Sequence, residues 1–242
     1  GDNDVIIYDG FSNLGNAAIE GFQLGTMVGS RIGRDANGNF LVDANGDYVV
    51  ENQDENGRIP VIGDPNPDFI LNVTNTFSYK NFNFSFLFNH VQGGDIYSST
   101  VATLLGRGLI TETLDRESTF ILPGINQATG QTNTIQINNS TYYFNNVLFG
   151  PAELLVYDAT TLRLQEISLG YSIPKKFLDK TPFGSLSFNV QGFNLWYKAF
   201  NIPDGANFDP NVAGTGIGNG AGFDYLNGPS GRRYGVSLKA TF

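Results

Sequence analysis

Residues 69–88 alternate between apolar and polar side chains, and this alternation restricts the fold more than any other feature of the sequence. From Phe69 to Tyr79 every second residue is apolar except Asn75, and the positions between them are polar after Ile70. Successive side chains of a strand point to opposite faces, so this pattern predicts strands with one apolar and one polar face. A two-residue turn at Lys80–Asn81 would place both apolar rows on one face of a hairpin. The second row consists of Phe82, Phe84, Phe86 and Phe88.

The same alternation predicts strands in further segments. The C-terminal segment from Arg233 to Phe242 alternates as far as its last residue, and the segment 185–196 alternates from Leu186 toward Trp196. In the segment 162–173 the apolar phase changes, and a one-residue bulge near Gln165–Glu166 would restore a single apolar face. A Gly-rich segment from about Glu20 to Ile32 predicts a weaker strand. The count is about six strands.

Composition excludes several classes of protein. Charged residues make up only 15% of the chain, against about 25% in ordinary soluble domains. The net charge of −9 argues against nucleic acid as a partner, because binding phosphates requires clustered Lys and Arg. There is no cysteine and only one histidine, His90, so the sequence offers no thiolate metal site and no catalytic constellation. We therefore expect no enzyme activity.

The apolar rows favour an antiparallel transmembrane β-barrel over a soluble sandwich. A sandwich core mixes side-chain sizes so that two sheets interdigitate, whereas a row of phenylalanines suits a wall that faces lipid. Short connections at Lys80–Asn81 and 174–184 alternate with long ones near 94–151 and 198–232. Barrels have short periplasmic turns and long extracellular loops, and this parity would place the C-terminus in the periplasm.

About six strands cannot close a membrane barrel, because the smallest single-chain examples have eight. We therefore expect the whole chain, residues 1–242, to be the C-terminal part of a larger barrel domain. The polar start at Gly1 carries no signal peptide, which agrees with a fragment.

Six stretches, taken in order, carry a family resemblance. They are Ile62–Phe69, Phe77–Phe82, Gly93–Tyr97, Leu162–Pro174, Gly192–Trp196 and Arg233–Phe242. In this order they resemble the C-terminal region of SusC/RagA-type TonB-dependent outer-membrane transporters. The resemblance implies a barrel of the 22-stranded plugged kind, with its remaining strands and its plug outside this chain. It further implies a SusD-like surface lipoprotein, TonB and outer-membrane lipid as partners, and uptake of oligosaccharides or peptides.

A short repeat offers a candidate metal site. Asp35–Asn39 and Asp43–Asp47 share the pattern Asp-Ala-Asn-Gly, and the oxygens of Asp43, Asn45 and Asp47 at alternate positions could bind Ca²⁺. The EF-hand pattern is incomplete, and two Asn-Gly turns explain the same residues. Substrate-binding residues stay unknown, although aromatic residues of the long loops could stack on sugars or pack within the loops. These are Tyr142, Tyr143, Phe144, Phe208, Phe223 and Tyr225.

Two functions from different classes fit these features. The first is TonB-dependent nutrient uptake, in which this chain supplies barrel wall and extracellular loops. The second is a secreted soluble β-domain that binds carbohydrate, which would explain the acidity and the loop aromatics. The second leaves the phenylalanine rows and the terminal Phe242 without an explanation.

Overall fold

The computed structural model describes residues 5–11, 13–212 and 220–242, which form eighteen strands and few helices. The helical segments are α1 (Ser99–Gly106), α2 (Asn139–Thr141), a π-helix (Tyr142–Leu148) and 3₁₀ turns at Thr111–Thr113, Ala152–Leu155 and Lys175–Phe177. None of these helices is long and apolar enough to cross a membrane. The strands are β1 (Val5–Phe11), β2 (Leu14–Ile19), β3 (Thr26–Val28), β4 (Arg31–Ile32), β5 (Leu41–Val42), β6 (Val50–Glu51), β7 (Val61–Gly63), β8 (Phe69–Tyr79), β9 (Phe82–Gln92), β10 (Asp95–Ser98), β11 (Thr119–Ile121), β12 (Ile125–Asn126), β13 (Gln136–Asn138), β14 (Val156–Asp158), β15 (Thr161–Ser172), β16 (Ser185–Ala199), β17 (Phe223–Asp224) and β18 (Arg233–Thr241).

The chain divides into two compact units. Unit 1 contains residues 1–67, 93–159 and 201–229, and unit 2 contains residues 68–92, 160–200 and 230–242. Unit 2 is one antiparallel sheet of five long strands in the order β18-β16-β15-β9-β8. All the sustained alternations in the sequence fall in this sheet.

The register of unit 2 confirms the predicted hairpin. Tyr79 pairs with Phe82 and Phe77 pairs with Phe84, and Lys80 in the turn has a φ of 53°. The predicted bulge is also present, because the register of β15 shifts between Leu164 and Glu166 against both neighbouring strands.

The connections of unit 2 alternate between its two ends. At one end are the turn Lys80–Asn81, the connection 173–184 and the end of β18, since Ser185 pairs with Thr241. At the other end Phe69 pairs with Gln92, and Thr161 pairs with Val91 and Ala199. Every segment that leads into unit 1 therefore leaves the sheet from the same end, as the alternation of short and long connections predicts.

Unit 1 contains short strands around its own core. Its largest sheet is antiparallel in the order β1-β2-β3-β7, and a second sheet has the order β14-β10-β17. The single strand predicted from Glu20 to Ile32 is wrong. Positive φ values at Gly21 (84°) and Gly25 (95°) break the extended chain, and only β3 and β4 are strands there. The core comprises Met27, Ile96, Tyr97, Val101, Ala102, Leu105, Ile110, Val147, Ala152, Leu155, Phe208 and Phe223.

Candidate functional site

The apolar face of the five-stranded sheet in unit 2 is exposed. Cross-strand pairs place the phenylalanines of β9 beside the apolar rows of β8 and β15, with ring centroids 6.4 Å apart for Phe77–Phe84 and 4.6 Å for Phe82–Tyr171. The row continues through β16 and β18, where Val190 pairs with Val236. Thirteen of its side chains are between 41% and 75% exposed. These are Phe69, Leu71, Val73, Phe77, Tyr79, Phe82, Leu169, Phe188, Val190, Trp196, Tyr234, Val236 and Leu238.

Water is an unfavourable solvent for this face. Within the described residues, Leu178 is the only large apolar side chain of unit 2 that is buried. Full burial of one large apolar side chain is worth about 1.5–3 kcal/mol, so a dozen half-exposed ones forgo on the order of 10 kcal/mol. That is as large as the whole stability of an ordinary domain, about 5–15 kcal/mol. The face therefore requires an apolar medium or partner.

The opposite face of the sheet is polar and hydrogen-bonded. Asn89 Nδ2 donates to Asn72 Oδ1 at 3.0 Å, and Ser168 Oγ donates to Asn189 Oδ1 at 3.0 Å. A cleft of about 260 Å³ lies on the sheet, and no charged side chain lines it. Its lining residues are Thr76, Asn83, Phe84, Ser85, Ser168, Gly170, Tyr171, Ser172, Ser187, Phe188 and Asn189. One apolar and one polar face are what a wall between lipid and an aqueous lumen needs.

The sequence indicates an irregularity of β16 at Asn194 only weakly. Asn194 in β16 has a φ of 55°, and its side-chain oxygen accepts a hydrogen bond from the Arg163 guanidinium, which also lies over the Tyr197 ring at 5.4 Å. The irregularity of β15 is thus matched in β16, where the sequence predicted continuous alternation. The short run Gly192-Phe193-Asn194 is the signal that could have shown it, because Gly and Asn tolerate such conformations.

The three calcium candidates lie in a tight turn of unit 1. Asp43 Oδ1 accepts from the backbone N–H groups of Asn45 (2.8 Å) and Asp47 (3.0 Å), and Asp43 Oδ2 accepts from Asn45 Nδ2. The Asp47 carboxylate accepts from Asn145 Nδ2 (2.7 Å) and Asn146 Nδ2 (2.8 Å). Hydrogen bonds therefore engage all four carboxylate oxygens. In the described part of the chain no group of three or more acidic, His or Cys side chains is arranged to hold a metal ion. Calcium binding stays a hypothesis.

A half-buried carboxylate lies elsewhere in unit 1. Asp95 Oδ2 accepts from the Asp64 backbone N–H at 2.8 Å, and Asp95 faces Asp158 across the β10–β14 pair. Burial, assisted by the charges of Asp158 and Asp64, raises the pKa of Asp95. This group disfavours its charged form in the folded unit.

The loop aromatics separate into packed and exposed residues. Phe208 and Phe223 are buried, and Tyr142, Tyr143 and Tyr225 pack against the core of unit 1. Burial raises the pKa of Tyr225 to about 12, as expected of a packed phenol. Phe144 alone of the six is exposed, and the exposed Phe149, which the sequence did not single out, contacts it.

No protein-family model matches the chain. The chain is 28% identical over 197 residues to TonB-dependent receptor P3 of Formosa agariphila, and 31% identical over 194 residues to TonB-dependent receptor P26 of the same organism. These matches cover 78% and 75% of this chain but only 18% of each relative. The chain thus spans less than a fifth of the curated relatives that it matches.

Solved structures agree at the level of fold. The RagAB peptide importer matches with a TM-score of 0.57 in its "open-open" state and 0.53 in its "closed-closed" state, at 16% identity in both. The matches cover 97% and 95% of this chain and 24% of the solved chain. The fold of nearly the whole chain is therefore that of a quarter of a much longer transporter chain.

Proposed function

This chain is related to the TonB-dependent receptors of the SusC/RagA type, and from this premise we propose that it supplies barrel wall and extracellular loops to an outer-membrane nutrient transporter. One observation carries the proposal: a five-stranded sheet exposes an aromatic face on one side and a polar face on the other. In the outer membrane the aromatic face contacts lipid and the polar face borders the lumen.

The rest of the barrel lies outside this chain in the proposal. The strands β8 and β18 are the two edges of the sheet, and an unpaired edge in lipid leaves backbone groups without hydrogen bonds. Further strands of the same barrel, 22 in all, cover both edges, and residues 1–242 form the C-terminal part of that barrel. A plug fills the lumen, a SusD-like surface lipoprotein binds outside, and TonB supplies energy. The proposal assigns the chain no catalytic step.

The transported nutrient is an oligosaccharide or a peptide. The similar RagAB structure is named as a peptide importer, which supports the peptide alternative, whereas the hydroxyl and amide groups that line the cleft suit both. Growth tests decide between them. A strain that lacks the full-length protein should fail to grow on one of a panel of oligosaccharides and oligopeptides, and a protonophore should abolish uptake of that nutrient by the complemented strain.

Envelope fractionation tests the proposal itself. The native full-length protein should sediment with the outer membrane and require detergent for release. Release in aqueous buffer without detergent would instead support a secreted carbohydrate-binding domain.

A further inference from the structure

Two phenylalanines of unit 1 form an exposed pair. Phe149 is 64% exposed and Phe144 is 38% exposed, and their ring centroids lie 5.1 Å apart with the rings inclined at 69°. Arg107 lies over the Phe144 ring with its guanidinium carbon 5.4 Å from the ring centroid. Together Phe144, Phe149 and Arg107 are called the aromatic platform below. Phenylalanine and arginine are both enriched in protein–protein interfaces relative to the rest of the surface.

The platform stands on a fixed base. Phe144 belongs to the π-helix Tyr142–Leu148, a rare element that is frequent at functional sites. Asn145 and Asn146 in that helix donate to the Asp47 carboxylate, and Asn146 Oδ1 accepts from the Tyr48 backbone N–H at 2.7 Å. The backbone that carries Phe144 is therefore fixed before a partner binds, which lowers the ordering cost of binding.

Close packing against α1 adds to this base. A Cβ atom at Gly106 would lie 2.6 Å from the Leu148 Cβ, so only glycine permits the observed approach of α1 to the π-helix. Arg107 follows Gly106 directly, and the Arg107 carbonyl accepts from Arg116 Nη2 at 3.2 Å. The position of Arg107 beside Phe144 thus follows from the helix contact.

The charge of the platform is complementary to an acidic partner. Arg107 is exposed, and no salt bridge joins it to a carboxylate in the part of the chain that the structure describes. Its guanidinium carbon lies 5.4 Å from the centroid of the Phe144 ring, and a guanidinium beside a ring can still donate to a carboxylate. A partner that fits presents an apolar side chain to the rings and a carboxylate to Arg107.

We infer that the aromatic platform is a docking surface for the surface lipoprotein partner. The inference rests on the proposed function, in which unit 1 holds the segments that leave the sheet at its extracellular end. The packed aromatic residues of unit 1 do not provide such a surface, because they are buried in its core or pack against it.

Photo-crosslinking of the full-length receptor in its native outer membrane tests the inference. Benzoylphenylalanine replaces Phe149, and mass spectrometry identifies the adduct after irradiation. The expected adduct joins Phe149 to a second polypeptide with a lipidated N-terminal cysteine. Adding Arg107→Glu should lower its yield about tenfold or more. Benzoylphenylalanine at Asn37, in an exposed turn of the same unit, is the matched control and should give no such adduct.

Each other result has a distinct meaning. An adduct only with the receptor's own peptides shows that the same polypeptide covers the platform, and this overturns the inference, as does the absence of any adduct. Purification of the wild-type receptor in mild detergent distinguishes a wrong docking surface from a wrong proposed function. If the receptor carries a lipoprotein but Phe149 does not crosslink to it, only the docking surface is wrong. If it carries none, the partner is wrong as well.

Discussion

A single charge should distinguish the two faces of the sheet. Ile167 and Ser168 are neighbours in β15, and their side chains point to opposite faces: Ile167 pairs with Phe86 in the aromatic row, and Ser168 donates to Asn189 on the polar face. Ile167→Arg and Ser168→Arg therefore add the same side chain to the same strand on opposite sides. We expect the first to impair insertion strongly and the second to be tolerated.

The position of Ile167 sets the magnitude. Ser172, five residues further, ends β15, and five residues span about 17 Å along a strand. At a tilt of about 45° this is about 12 Å along the membrane normal, which is half of an apolar band about 25 Å tall. An arginine on the lipid face at the midplane costs about 2–4 kcal/mol. Ser168→Arg loses one hydrogen bond, worth about 0.5–1.5 kcal/mol.

Refolding of the full-length receptor into lipid vesicles, titrated with urea, measures both free energies. The folding equilibrium constant should fall roughly 30- to 700-fold for Ile167→Arg, as about 1.4 kcal/mol corresponds to each factor of ten. Equal losses for the two variants, or a larger loss for Ser168→Arg, would refute the assignment of the aromatic face to lipid.

Three further predictions concern unit 1, and hydrogen–deuterium exchange of the full-length receptor measures each. Asn16→Ala should destabilise local structure by about 2–4 kcal/mol and speed exchange near Ala221, because Asn16 bonds both the N–H and C=O of Ala221 and the C=O of Gly25; unchanged exchange would contradict this. Asp95→Asn should slow exchange of β10 at pH 7. The pKa of Asp95 is raised in the folded state, so its protonated carboxyl stabilises the fold fully below the unfolded-state pKa near 3.8. This stabilisation is lost as the pH rises through the folded-state pKa. The extra stability of Asp95→Asn at pH 7 should therefore vanish near pH 3. Asp47→Ala should speed exchange over the π-helix, whereas Asp54→Ala, which breaks a similar turn at Asn56 and Arg58, should leave the π-helix unchanged; equal effects would show that Asp47 does not anchor the helix.

Sequence reasoning succeeded where structure depends on neighbours in a strand. The alternation in 69–88 predicted the hairpin register, and the phase change near Gln165–Glu166 predicted the bulge, because each side chain's face depends on its position along one strand. The matching irregularity at Asn194 was missed, because β16 keeps an apolar pattern through it.

Unit 1 was not predictable in the same way. Its contacts join residues distant in sequence, such as the parallel pairing of Tyr97 with Phe223, and many of its strands are only two or three residues long. No periodic pattern records such contacts. Of the candidate residues, the sequence showed that aromatics occur in the loops, but burial of Phe223 and exposure of Phe149 follow only from tertiary packing.

Oxygen accessibility along β9 tests the central claim most directly. Residues 1–242 contain no cysteine. Once any cysteine outside this range has been replaced, a single cysteine can be introduced at each position from Phe82 to Gln92 and spin-labelled in the full-length receptor in lipid bilayers. If the aromatic face contacts lipid, labels at 84, 86 and 88 should collide with oxygen dissolved in the bilayer, and those at 83, 85 and 89 should not. Accessibility without a two-residue period, or with the opposite phase, would contradict a membrane-spanning sheet with this orientation.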